Sequence, residues 1–339
     1  MRIRLRVSFI AIALQWYAHG LGAAEVVVYH SVKDLLARSV AERFEKETGI
    51  AIRLEPEDRQ AEGTELSDRL IGKKNRPCAD VCWADDPVGA VILKSKGLAA
   101  PYEPPNTKSL SKLYSDPEHH WTGFPSRAVI ILYNRDLFGD SEELPTSVLD
   151  MMNPRFHGKA CIANPLFGTA SMYIAALFEV LGTDFAEAFF DSLKTNRVAM
   201  LSSTDEVRCW VAAGEFAFGM ADTDDFYAAV KEGKPVGAVL PDQKTFGTLV
   251  IPNALVLLAN APNPEHGKQF IDFLLRPEIQ KLLATSDAGQ MPVGPETSVR
   301  AEILSLNSIR SMEVDYGAVV SESKELSQGF LKEWIKKEK

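Results

Sequence analysis

Asp222, Thr223, Asp224 and Asp225 put three carboxylates within four residues. Charges so close repel one another unless a helix dipole, hydrogen-bond donors or a cation compensates them. Two readings are open from the residues alone. A helix begins here with Asp224 and Asp225 in its first turn, or the segment grips an amine, a hydroxyl or a hard metal ion. Asp85 and Asp86 repeat the theme after Trp83, itself also a candidate for the core. The run Asn164 to Ser171 is of a different kind. Gly168 lets the backbone turn closely, and Thr169 and Ser171, on either side of Ala170, bring hydroxyls and amides to a helix start, which suits an oxyanion. Ser31, after Tyr29 and His30, either bonds a ligand or caps its own helix. Arg127 is placed to pair with a carboxylate or phosphate.

No GxSxG, HExxH, GxxxxGK or GxGxxG occurs in the chain. We therefore expect a binding protein and not an enzyme, with no cofactor. An enzyme built on the Asp cluster as acid, base or metal site is the competing reading.

The motifs sit where strands meet helices. Glu25 to Tyr29 reads as a strand, Leu36, Val40 and Phe44 as one face of a helix ending at Gly49, and Ile50, Ile52 and Leu54 as a second strand. A helix with Leu66, Leu70 and Ile71, a strand over 79–84 and a helix over 87–97 continue the alternation, which is the pattern of a parallel sheet covered by helices. After an apolar strand over 128–133 the pattern restarts: strand 160–163, helices 171–181 and 185–194, strand 198–201, helix 205–214 and strand 216–220. A long strand over 248–259 and a helix over 264–275 follow. Ligands of such sheets bind in the crevice at strand-to-helix junctions. Two α/β units joined by two long strands predict two lobes, 25–127 with 250–305 and 128–249 with 306–339.

Residues 1–24 read as a cleaved export signal. Arg2, Arg4 and Arg6 precede a short apolar stretch, Ser8 to Ala18, and Gly22 and Ala24 are small residues before Glu25. The apolar stretch falls short of the roughly 20 residues that span a bilayer. Loss of three arginines takes the net charge from -9 to -12, and an acidic chain without a basic stripe is no partner for nucleic acid. Cys78 and Cys82 bracket a strand and are about 13 Å apart if it is extended, beyond disulfide reach. Cys161 and Cys209 are open to pairing or to burial as free thiols.

Taken together, the stretches VVVYHSVKDLLARSVAERFEKETGI, ADVCWADDPVGAVILKSKGLAAPY, SRAVIILYNRDLF, GTAS, VAAGEFAFGMADTDD and APNPEHGKQFIDFLLRPEIQKLLA resemble the periplasmic solute-binding proteins of ABC importers. The resemblance is to the two-lobed class that takes ferric iron, phosphonates, sugar phosphates and polyamines. It implies a type II periplasmic-binding-protein fold, a hinge, a ligand in the cleft and delivery to an inner-membrane permease. It also implies a periplasmic protein without stable membrane insertion, taken here to act as a monomer. By position, Ser31, Asp85, Arg127, Thr169, Ala170, Ser171, Ser203, Asp222, Thr223, Asp224 and Asp225 fall where relatives touch ligand. Ferric-iron binders of the class carry two adjacent tyrosines where this sequence has Asp224 and Asp225, and Tyr227 follows two residues later. The implied ligand is ferric iron or an oxyanion-bearing compound such as a phosphonate or sugar phosphate. The alternative role is a ligand sensor that presents its closed form to a membrane histidine kinase.

Overall fold

A computed structural model describes residues 24–339 apart from 58–65, 75, 77, 106, 108–113, 140–142, 285–308 and 337–339, and not the side chains of 124–126. All of the expected signal segment except Ala24, and the expected lobe boundary at 305/306, lie outside the described residues.

Among the described residues ten strands form one sheet: β1 (Glu25–His30), β2 (Ala51–Pro56), β3 (Val81–Ala84), β4 (Ala99–Ala100), β5 (Thr122–Asn134), β6 (Ala160–Ala163), β7 (Ala199–Leu201), β8 (Phe218–Asp222), β9 (Val236–Val239) and β10 (Val250–Leu258). Their order is β2-β1-β3-β10-β5-β8-β6-β7, with β4 on β10 and β9 on β5. β1 runs parallel to β2 and β3, and β6 parallel to β7 and β8. The two parallel groups meet through β5. Its first part, to Ala128, pairs antiparallel with β10, and from Val129 onward it pairs with β8 and β9. The strand expected over 128–133 is thus only the second part of a longer one, because the six residues before it carry no continuous apolar run to announce them.

Both faces of the sheet are covered, which explains runs such as VVVY that are apolar at every position. Val26 and Val28 face a core with Phe44, Trp83, Phe270 and Phe273, whereas Val27 and Tyr29 face the other side. The same alternation divides Ile130 and Leu132 from Val129 and Ile131. Phe44 meets Phe270 edge-on, 5.2 Å between centroids at 89°, a favoured aromatic geometry.

Helix α1 (Asp34–Thr48) buries Leu36, Val40 and Phe44 and stops at Gly49, whose φ of 72° is easy only for glycine. α2 (Leu66–Gly72), α3 (Val88–Ser95), α8 (Pro264–Leu274) and α9 (Pro277–Ala284) flank the first group of strands, and α4 (Gly168–Leu181), α5 (Thr183–Thr195), α6 (Thr204–Ala213) and α7 (Thr223–Lys231) belong to the second. Two C-terminal helices that the sequence reading did not assign, α10 (Tyr316–Gln328) and α11 (Phe330–Lys336), close the molecule. α10 packs on α4 and α3, and Trp334 of α11 meets Phe190 of α5 edge-on at 5.0 Å. All four cysteines are free, Cys161 buried in β6 and Cys209 exposed on α6, so the pairing left open for these two is not formed.

Candidate functional site

The carboxyl ends of β1, β3, β6 and β8 and the middle of β5 bring the polar motifs together where the two strand groups meet. Ser31 follows β1. It does not cap α1, whose N-cap is Lys33 without a side-chain bond. Its Oγ donates to Asp85 Oδ1 at 2.7 Å and accepts from Asp85 N at 2.9 Å, locking the turn after β3 to the turn after β1. Asp86 Oδ1 accepts from Val88 N at the start of α3. Trp83 is fully buried.

Arg127 lies on β5 at the point where this strand changes partners. Its Nη1 donates to the carbonyl of Asp85 at 2.9 Å, its Nη2 to Thr169 Oγ1 at 3.3 Å, and its Nε stands 3.4 Å from Asp222 Oδ2. One guanidinium therefore ties the first strand group to two elements of the second. Burial works against its charge, but Asp222, Asp224, Asp85 and Asp86 outweigh that and raise its pKa.

Asp222 ends β8 and is the N-cap of α7. Asp225 Oδ2 accepts from Asp222 N at 3.1 Å, so Asp225 does serve the helix start. The capping reading and the ligand reading are not exclusive here. One carboxylate oxygen from each of Asp222, Asp224 and Asp225 lies within 4.8 Å of the others. Asp222 Oδ1 and Asp224 Oδ1 are buried without a hydrogen-bond partner among the described residues. Burial pushes the Asp222 carboxyl up, more than Arg127 draws it down, and burial with the charge of Asp224 pushes Asp225 up. These are acceptors in want of a donor or cation.

A narrow recess of about 20 Å³, enough for about one water, lies beside Asp222, between the ends of β6 and β8 and the starts of α4 and α6. Its walls include Val129, Ile162, Ala170, Ile174, Met220 and Thr169.

Three comparisons bear on this arrangement. A family model for bacterial extracellular solute-binding proteins matches residues 91–316. The chain belongs to this family. The solute-binding protein is 23% identical over 297 residues to the Fe(3+)-binding periplasmic protein of Serratia marcescens, covering 86% of this chain and 85% of that one. It is 27% identical over 297 residues to a putative 2-aminoethylphosphonate-binding periplasmic protein of Salmonella typhi, covering 84% of each. Among solved structures, the Trichodesmium protein IdiA (FutA) in complex with iron and citrate superposes with a TM-score of 0.80 at 21% identity, over 91% of this chain and 98% of that one. The fold is the two-lobed, type II periplasmic-binding one.

Within the solute-binding protein, Ser31, Asp85, Arg127, Thr169 and Asp222 form one connected cluster, with Asp224 and Asp225 against it and Ala170 in the recess wall. The other residues expected at the site are engaged in the scaffold. Ser171 is half-buried and its Oγ donates to the carbonyl of Gly168 at 2.8 Å. Ser203 accepts from Glu206 N at 3.2 Å as the N-cap of α6. Thr223 is fully buried and its Oγ1 accepts from Ala128 N at 3.3 Å, which joins α7 to β5. Thr204, a partner of Asp225 and a wall of the recess, was missed by sequence reasoning. It stands at the same kind of strand-to-helix junction as Thr169, and that rule applied evenly would have found it. A second acidic group, Asp116, Glu118 and His120, already holds a cation of its own, with Lys94 Nζ 2.6 Å from Asp116 and 2.7 Å from Glu118. Among the described residues no helix is long and apolar enough to cross a membrane.

Proposed function

We propose that the protein is the exported, solute-capturing component of an ABC importer, with residues 1–24 removed and one solute molecule held between a lobe of 25–127 with 250–305 and a lobe of 128–249 with 306–339. It captures and hands over; it carries out no chemistry on the solute. The sequence expectation left ferric iron and oxyanion-bearing compounds open, and the carboxylates support a solute with a cationic part. The observation that carries the reading is the carboxylate group of Asp222, Asp224 and Asp225 beside Arg127, with two buried oxygens that have no hydrogen-bond partner among the described residues. A buried acceptor without a donor costs free energy that a bound cation or amine would recover. The relatives fit that charge in two ways, one named for Fe(3+) and one for a phosphonate that bears an amine. Closure of the lobes would exclude water and strengthen each of these contacts. No observation favours a role in presenting a closed form to a histidine kinase.

Native mass spectrometry of the protein as purified identifies the solute it retains, and calorimetry then measures its affinity. Asp224→Asn and Asp225→Asn should each weaken binding tenfold or more, about 1.4 kcal/mol. Equal affinity in both variants removes the carboxylate group from the site.

A further inference from the structure

We propose that Cys78 is a peroxide-reactive thiol, oxidised to a sulfenic acid with Lys73 and Tyr29 supplying the positive charge and the protons that the reaction needs. The site lies in the first strand group, on the segment that leads into β3, and uses none of the residues assigned to the solute.

The four cysteines differ in surroundings. Cys82 and Cys161 are buried, Cys78 is half-buried and Cys209 is exposed on α6. Burial pushes the Cys82 thiol up to about 12 and raises Cys161 as well, so both stay protonated and inert. Around the Cys78 sulfur stand donors and cations. Lys73 Nζ donates to Tyr29 Oη at 2.5 Å, a bond that raises the Lys73 pKa and keeps its ammonium charged. Tyr29 Oη lies 3.5 Å from Cys78 Sγ, and toward an ionised sulfur only the phenol can donate. Lys73 bonds to the sulfur as well. Arg69 brings a second cation: its guanidinium carbon and Lys73 Nζ each stand 5.1 Å from the centroid of the Tyr29 ring. Reactive cysteines occupy such electropositive, partly exposed surroundings. The reagent has a place too. A recess of about 20 Å³, enough for about one water, is lined by Cys78, Lys73, Lys74, Leu70, Leu98 and Leu258, and so admits one oxygen of a peroxide to the sulfur.

In the reaction the thiolate attacks one oxygen of hydrogen peroxide, and the S–O bond forms as the O–O bond breaks. The sulfur is oxidised to Cys78–SOH and the peroxide is reduced, its second oxygen leaving as hydroxide. Lys73 meets that negative charge and gives it a proton, and the proton released when the thiol ionised restores the ammonium. Thiol and peroxide thus yield sulfenic acid and water.

The test treats the mature chain with hydrogen peroxide in the presence of dimedone, which caps sulfenic acids, and follows each cysteine by peptide mass spectrometry. Cys78 should be capped about tenfold faster than Cys209 or more, although Cys209 is the more exposed, and Cys82 and Cys161 should stay unlabelled. Lys73 is exposed, so Lys73→Met leaves the core untouched. It should slow Cys78 by about tenfold and leave Cys209 as it was. Tyr29→Phe keeps the ring, removes the hydroxyl and should also slow Cys78. The proposal is overturned if Cys209 is capped as fast as Cys78 or faster, or if Lys73→Met leaves the Cys78 rate intact. Capping of the buried Cys82 at the rate of Cys78 would show opening of the fold in place of a reactive site, and overturns it too.

Discussion

Arg127 carries one positive charge into a neighbourhood of acidic groups and bonds to both strand groups at once. Removing it strands the buried Asp222. Breaking a buried ion pair from one side costs roughly 3–5 kcal/mol, and the 3.4 Å separation argues for the lower end. Arg127→Met should lose about 3 kcal/mol in urea unfolding. The double variant with Asp222→Asn should lose much less than the sum of the two singles, since the uncompensated carboxylate is gone. Additive losses would mean that the two side chains do not act as a pair. A pH dependence follows from the same group. Burial sets the Asp222 and Asp225 carboxyls above their ordinary values, so the folded chain holds these protons more firmly than the unfolded chain does. Their ionisation destabilises the fold progressively as pH rises from about 4 through the folded values, and below the unfolded values the penalty is absent. Cation binding has the opposite sign, because it needs the carboxylates ionised. Affinity should therefore strengthen with pH across this window, by up to about tenfold per unit for each proton released. Calorimetry at three pH values in this range reads it directly, and a flat profile would show that neither carboxyl titrates on binding.

The site depends on how closely elements approach behind it. β8 delivers Asp222, and it can lie against β6 and α6 only because Gly219 has no side chain. A Cβ there would stand 2.6 Å from Val207 Cγ1, 2.7 Å from Cys161 Sγ and 2.9 Å from the Cys161 carbonyl oxygen. Such overpacking costs typically about 1–3 kcal/mol. Gly219→Ala should lower stability by that amount and also weaken solute binding, since the end of β8 must shift to relieve the clash. Lost stability with unchanged affinity would show that the strand end is held independently of the packing behind it. The helix starts divide their labour in a comparable way. Thr169, at the start of α4, gives its hydroxyl oxygen to Arg127, while Ser203 spends its own on Glu206 N at the start of α6. Identical local chemistry thus ends in a site contact in one place and a cap in the other.

At the scale of the whole molecule, the chain crosses between the strand groups along β5 and again between β9 and β10. Crossings of this kind allow rigid-body closure about a few residues. With the retained solute bound, small-angle scattering should give a smaller radius of gyration than after its removal. Arg127→Met should enlarge the radius of the solute-free protein, because the only guanidinium bonded to both Asp85 and Thr169 among the described residues is gone. Identical profiles in all three states would exclude lobe rotation on binding.

The alternation of apolar strands and helices made the α/β architecture and its two units legible in the sequence, because burial on both faces of a strand and one face of a helix leaves periods that need no partner to be recognised. Junction residues such as Thr169 and Asp222 were legible for the same reason. What the sequence could not fix was the partner of each polar group. Ser31 has the local features of a helix cap and bonds instead to Asp85, 54 residues away. Ser203 was expected at the ligand and caps α6. α10 and α11 escaped notice because α10 has no strong apolar stripe of its own and is held by packing on α3 and α4. Whether a hydroxyl caps, staples or faces a ligand depends on which donor the folded chain brings within about 3 Å of it. That choice is made between segments far apart in the chain, so for Arg127 and the three aspartates it is the tertiary structure that decides.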